Sequence, residues 1–334
     1  MPVVAGVDGG ATRTRVALLN QNGEIRGIGY GGPSNYNNVT LDTVSRHISE
    51  AFREAADQAG LPKSSVDGIF LGMAGVVSDP DRVAIRETVM ELEVAPPDKI
   101  YVDHDIRIAL AGGVGTGEGI ALIVGTGSSC FGISASNESW RAGGWGYLLD
   151  DRGSGYDFGR RAMMMTVRDA DGRGSQTALK PLVMEALDLD DIQKIMRKIY
   201  VEGLRGEGRP MTKEEIASLS SLVFQAADDG DSVARDIIDQ GVNELTAMVT
   251  TIVGELRLEG TVQVVITGGL AESYPAYRES IQQSISAELP ACTFVDQSCP
   301  PVVGAALLAL DGIGVKIEPN DVQGLKEQFG TDQM

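Results

Sequence analysis

Apolar residues fall into short runs broken by glycine and polar turns, and further along they recur at a spacing of three or four. VVAGVD (3–8) and RVALL (15–19) are two such runs joined by GGATRT, and NQNGEI (20–25) turns the chain toward a third strand. In 41–57, Leu41, Val44, Ile48, Phe52 and Ala55 share one face at helical spacing, which predicts an amphipathic helix. VDGIFLGMAGV (66–76) reads as a buried strand ending in a glycine turn, and DPDRVAIRETVMEL (79–92) as a helix opened by Asp79 and Pro80. KIYVD (99–103) is a further strand, followed by DIRIALAGG (105–113), a helix closed by glycine. The first third therefore reads βββαβαβα.

After the link GGVGTGEG (112–119) the opening pattern restarts as strand, glycine turn and strand: IALIV (120–124), GTGSS (125–129) and CFGIS (130–134). This is an internal repeat of the opening. From 154 to about 258 the chain is mostly helical; Thr212 and Glu215 have capping-box spacing, and 233–253 has the period of one long helix. VQVVITGGLAES (262–273) is a strand running into a glycine turn and a helix, and TFVD (293–296) and PPVVGAALLAL (300–310) supply a last strand and helix. The final twenty or so residues are polar and poorly patterned, which predicts fraying.

Composition narrows what these elements can do. A chain of 334 residues exceeds what one core usually fills, so two domains are expected. The formal net charge is −19, from 47 acidic and 28 basic residues, which repels nucleic acid and anionic lipid alike. The start lacks a signal-peptide pattern and no apolar run approaches a membrane span, so a cytoplasmic protein is expected. Cys130, Cys292 and Cys299 form no CxxC pair and fit a reducing compartment, and two histidines, His47 and His104, leave little for a His-rich zinc site or a His-centred triad. DADG (169–172) lacks the distal glutamate of a calcium loop and reads as a helix end.

The glycine turns are the candidate chemistry. A Rossmann fingerprint needs GxGxxG between strand and helix, and a Walker A loop needs GxxxxGK[ST]; neither is present. The strand after GGATRT puts its glycines at a hairpin tip, where backbone N–H groups and a threonine hydroxyl can still hold phosphate. Three such loops recur in order: VDGGATRT, VGTGSS and ITGGLAES.

With this order of loops the chain resembles the superfamily of sugar kinases, actin and heat-shock ATPases. GVDGGATRTRVALL, VDHDIRIALAG, ALIVGTGSSCFGI, RAGGWGYLLDDRGSGYDFGRRAM and VVITGGLAES are together similar to the N-acetylglucosamine kinase branch of the BadF/BadG/BcrA/BcrD ATPase family, over residues 3 to about 310. The resemblance implies an α/β fold of two ribonuclease H-like domains with a central cleft. One domain would be 1–115 plus 300–334, with a returning C-terminal helix, and the other 116–299. It also implies ATP and Mg2+, a cytoplasmic homodimer, and transfer of phosphate to the 6-hydroxyl of an amino sugar such as N-acetylglucosamine or glucosamine.

Site residues follow from the same resemblance. Asp8 would orient Mg2+, through water; Gly9, Gly10 and Thr12, with Gly125, Thr126 and Gly127, would contact the β- and γ-phosphates; Gly268, Gly269 and Ser273 would line the adenosine pocket. Asp105 would be the base that takes the proton of the sugar hydroxyl, with Asp103 as the alternative and His104 as a structural hydrogen-bonding neighbour. Asn35, Ser128, Ser129, Gly144, Trp145, Gly146 and Asp151 would bind the sugar. Asp150 competes with Asp151, and core packing competes with binding for Trp145. Arg13 and Arg15 either add positive charge at the phosphates or are solvated. The same broad family also includes iron–sulfur activators of 2-hydroxyacyl-CoA dehydratases, and a non-catalytic sugar or nucleotide sensor is the third class of function.

Overall fold

The computed structural model describes residues 1–61 and 66–316. The fraying expected of the last residues falls on 317–334, outside the described range. The chain divides into two compact units: the described residues of Met1–Ala121, Ile133–Glu138 and Val295–Met334, and Leu122–Gly132 with Ser139–Phe294. The second expected domain, 116–299, differs from the second unit by a few residues at each end and by the short segment Ile133–Glu138.

The first unit is built on a sheet of β1 (Val3–Gly9), β2 (Thr14–Asn20), β3 (Ile25–Gly31), β4 (Gly68–Met73) and β5 (Ile100–His104), in the order β3-β2-β1-β4-β5. The first three strands are antiparallel neighbours, and β4 and β5 join parallel to β1. Helix Leu41–Ala59 covers one face. Thr40 caps it, Gly60 closes it in a left-handed conformation (φ 64°), and Val44, Ile48, Ala51, Phe52 and Ala55 are its buried face.

That helix lies unusually close to β3 because β3 has no side chains in the way. A Cβ at Gly27, Gly29 or Gly31 would lie 2.1, 1.9 or 2.2 Å from the carbonyls of Ala55, Ala51 and His47, so period-two glycines on a strand meet period-four positions on a helix. On the opposite face helix Pro301–Gly312 packs across β1 at Gly6, where a Cβ would lie 2.3 Å from Val302 O, and against helix Asp105–Val114 at Gly304. Val4, Ala17, Leu19, Val302, Val303, Ala306 and Leu310 form the core on this side.

The second unit holds β6 (Gly119–Val124), β7 (Ser128–Ile133), β8 (Ser139–Gly143), β9 (Val262–Thr267) and β10 (Cys292–Val295) in the order β10-β9-β6-β7-β8. Read from the other edge, β8-β7-β6-β9-β10 repeats the order of the first sheet, so the internal repeat of the sequence is a repeat of topology. β8 was not expected from the sequence pattern. It follows a tight turn in which Ser134 N–H donates to Glu138 O (2.9 Å) and Asn137 takes a left-handed conformation (φ 62°). Helices supply the rest of the unit, among them Gly155–Ala170, Ser220–Asp228, Pro275–Glu288 and the long Ser232–Glu255. Phe158, Phe224 and Tyr277, one from each of the first three, make a mutual aromatic cluster.

Candidate active site

In the first unit the candidate residues gather at the carboxyl ends of parallel strands, where open α/β sheets present ligand sites. Asp8 on β1, Gly72 on β4 and Asp103 on β5 are in register with one another. The loop between β1 and β2 is closed by Gly10 N–H donating to Arg13 O (3.0 Å), leaving Ala11, Thr12 and Arg13 exposed at its tip. Ser34 and Asn35 N–H both donate to Gly10 O (3.0 and 3.1 Å), and the buried Thr14 hydroxyl donates to Gly32 O (2.7 Å) and lies 2.8 Å from Ser34 Oγ. These bonds hold the segment carrying Asn35 against the hairpin. The Asn35 carboxamide oxygen accepts from Asn37 N–H (3.1 Å) and backs onto Gly75.

The two acids of VDHD have different surroundings. Asp103 accepts two hydrogen bonds from Arg82 through one oxygen, from Nη2 at 2.8 Å and Nε at 3.2 Å, and a third from His104 N–H at 2.8 Å. Asp105 opens helix Asp105–Val114; its carboxylate is about one-third exposed and lies 2.5 Å from His104 Nδ1. His104 Nδ1 accepts from Ile106 N–H (3.2 Å) and so caps the helix that Asp105 opens, and Arg82 neutralises Asp103. Asp8 is partly buried. Desolvation and the charge of Asp105 push its carboxyl up to about 7, with Arg13 opposing them. Arg15 is buried, not solvated: it is the cross-strand partner of Asp8, with Nη1 3.9 Å from Asp8 Oδ2.

In the second unit the turn between β6 and β7 is closed by Gly125 N–H donating to Gly127 O (2.9 Å), with Thr126 exposed at the tip as Thr12 is in the first hairpin. The start of helix Gly155–Ala170 supports it: Gly155 N–H donates to Gly125 O (2.8 Å) and Tyr156 N–H to Thr126 O (3.1 Å). Ser128 is buried and spends its hydroxyl on Arg152 O (2.7 Å), whereas the Ser129 hydroxyl is buried without a partner beside Gly144. Gly144 and Gly146 have φ values of 72° and 85°, a conformation that favours glycine. Trp145 between them is 64% exposed, with Arg141 4.7 Å above its ring, so core packing does not explain it.

Asp150 accepts from Trp145 N–H (3.4 Å), within its own loop. Asp151 turns inward and is 3% exposed. Its Oδ1 accepts from Ser128 N–H (3.3 Å) and its Oδ2 from Lys213 Nζ (2.8 Å). The third glycine loop follows β9: Gly268, at φ 109°, passes so close to the Val124 carbonyl that a Cβ would lie 2.7 Å from its oxygen. Gly269 has open space where a side chain would stand, and Ser273 is exposed at the end of the short helix Gly269–Ser273.

A family model for the BadF/BadG/BcrA/BcrD ATPases matches residues 5–309. The chain belongs to that family. Among curated relatives of this ATPase, an N-acetylmuramic acid/N-acetylglucosamine kinase of Clostridium acetobutylicum is 31% identical over 92% of this chain and 98% of its own length. An N-acetyl-D-glucosamine kinase of Dictyostelium discoideum is 28% identical, with the same two coverages. A solved structure from Chromobacterium violaceum, 26% identical, superposes with a TM-score of 0.67 over 93% of this chain and 99% of that one. The two-domain α/β ATPase fold follows from these matches and from the repeated sheet order.

One residue of this ATPase stands out only in the structure, Lys213 beside Asp151. Its sequence signal is weak, a basic residue at a helix start. The donor set also fits a divalent cation. Asp8 and Asp105 are hard oxygen donors close enough for one charge to raise the pKa of the other, and a cation relieves that repulsion.

Proposed function

We propose that the chain is an ATP-dependent kinase that places the γ-phosphoryl group on the 6-hydroxyl of an amino sugar of the N-acetylglucosamine or glucosamine class. The observation that carries the reading is the contrast between the two neighbouring acids. Asp103 is neutralised by Arg82, while Asp105 keeps a partly exposed carboxylate near Asp8, at the end of a strand in a family of ATPases. In this reading Asp105 accepts the proton of the sugar hydroxyl as that oxygen bonds to phosphorus and ADP leaves. His104 caps the helix that carries Asp105 by accepting from Ile106 N–H.

The turns of Gly9 and Gly10 and of Gly125 and Gly127, with the tip hydroxyls of Thr12 and Thr126, contact the β- and γ-phosphates in this proposal, and Gly268, Gly269 and Ser273 the adenosine. Asp8 holds Mg2+ through water; the cation, when bound, neutralises charge on the phosphates. Asn35, Ser129 with its unpaired hydroxyl, and the backbone of Gly144–Gly146 contact the sugar. Ser128 and Asp151 shape that site from behind, since their polar atoms are engaged within the protein. No helix among the described residues is long and apolar enough to cross a membrane, and a cytoplasmic homodimer completes the proposal.

An ADP-release assay with glucosamine, N-acetylglucosamine, N-acetylmuramate and glucose tests this. Release that depends on one of the amino sugars, with glucose much poorer, is expected. Sugar-independent release overturns the reading in favour of an ATPase activator, and ligand binding without release in favour of a sensor. Against the iron–sulfur activator stand the cysteines: Cys130, Cys292 and Cys299 are each buried, with thiol pKa values pushed up by burial, that of Cys299 to about 12.

A further inference from the structure

We infer that Lys213 is a positioning residue for the turn Gly125–Ser128, acting through Asp151; the inference rests on the proposal that this turn holds nucleotide phosphate. Asp151 sits in a left-handed backbone conformation (φ 60°) that swings its carboxylate under the turn. Gly127 lets it approach, since a Cβ there would lie 2.8 and 2.9 Å from the two carboxylate oxygens. One oxygen accepts from Ser128 N–H and the other from Lys213 Nζ, so the ammonium, the carboxylate and the turn form one chain of hydrogen bonds.

The ammonium makes this arrangement sustainable. A carboxylate with 5% of its side chain exposed needs a counter-charge, and Lys213, at 2.8 Å, supplies it. The position of Lys213 is itself fixed. It is the first residue of helix Lys213–Ser218, where Thr212 and Glu215 form a reciprocal capping box and Arg209 grips both oxygens of Glu215 at 2.9 Å. Its Nζ also lies 5.8 Å from the centre of the Tyr147 ring, in the loop that follows Gly144–Gly146. Without the ammonium the buried carboxylate has lost its counter-charge, and swinging outward to water releases Ser128 and the turn.

Binding of a non-hydrolysable ATP analogue with Mg2+, measured by calorimetry, tests this on the native chain, Lys213→Met and Lys213→Arg. Loss of one charge-assisted hydrogen bond corresponds to about tenfold or more in an equilibrium, so Lys213→Met is expected to weaken analogue binding by that factor. Lys213→Arg keeps the charge and is expected to recover most of it. If Lys213→Met does not fold, Lys213→Gln, which removes the charge and keeps a donor, takes its place with weakening in the same direction expected. Native-like binding by whichever uncharged variant folds overturns the inference, as does an Arg variant as weak as the uncharged one, or a native chain that does not bind the analogue. A native chain that binds the analogue but phosphorylates no sugar overturns the kinase reading and leaves this one standing.

Discussion

Replacing Asp8 by Asn isolates the electrostatics of the site, because the two side chains have the same shape and differ in charge. In the folded chain the Asp8 carboxyl is pushed from its usual 3.8 up to about 7, by desolvation first and by the charge of Asp105 second. A shift of this size corresponds to about 4 kcal/mol held against the ionised form. The sign follows from proton uptake. Between these two pH values the folded chain binds the proton and the unfolded chain does not, so stability falls as pH rises through the window. The penalty is complete above about pH 7 and absent below about pH 4. Asn carries no such penalty. Asp8→Asn is therefore expected to be the more stable protein in the absence of nucleotide and metal, by a margin that widens by about 2 kcal/mol between roughly pH 5.5 and pH 8. In thermal unfolding that widening is roughly 4–8 °C if the first unit unfolds on its own. Adding Mg2+ at the higher pH is expected to stabilise the native chain and leave the variant unchanged. A gap between the two proteins that does not vary with pH refutes the argument.

Asp105→Asn is expected to lower kcat about 10²-fold or more with sugar affinity little changed, whereas Asp103→Asn, which loses charge opposite Arg82, should stay within about tenfold of native turnover and lose thermal stability instead. Steady-state kinetics on the two variants separate the roles. The native kcat/KM should rise with pH through a midpoint near about 7 as Asp8 ionises; a profile flat from about pH 5.5 to 8 contradicts that assignment. Gly29→Ala places a Cβ 1.9 Å from the Ala51 carbonyl and forces helix Leu41–Ala59 off β3. A loss of about 3 kcal/mol or more in urea unfolding is expected, and a loss under about 1 kcal/mol would show that the helix can shift.

Much of the fold was legible because its signals are local. The apolar runs, the glycine turns and the capping residue Thr212 act on neighbours a few positions away, and they mark most of the strands of both sheets and the long helices. β8 escaped because Ser139–Gly143 is short and entirely without buried residues, so it carries no alternating pattern to read. The repeat of strand, glycine turn and strand was visible at 120–134, and it implied the second sheet before its order was known.

The sequence by itself determined most of the elements, the repeat and the family, since these depend on residues that act through their immediate neighbours or through motifs that are contiguous. Tertiary structure decided which of two adjacent acids is free. Arg82, 21 positions before Asp103, neutralises it and leaves Asp105 available; Lys213, 62 positions beyond Asp151, holds Asp151 in the interior and leaves Asp150 to its own loop. One or two positions apart in the chain, the members of each pair are chemically identical. Burial and the charge of a distant partner make them different, and neither is encoded at the position itself.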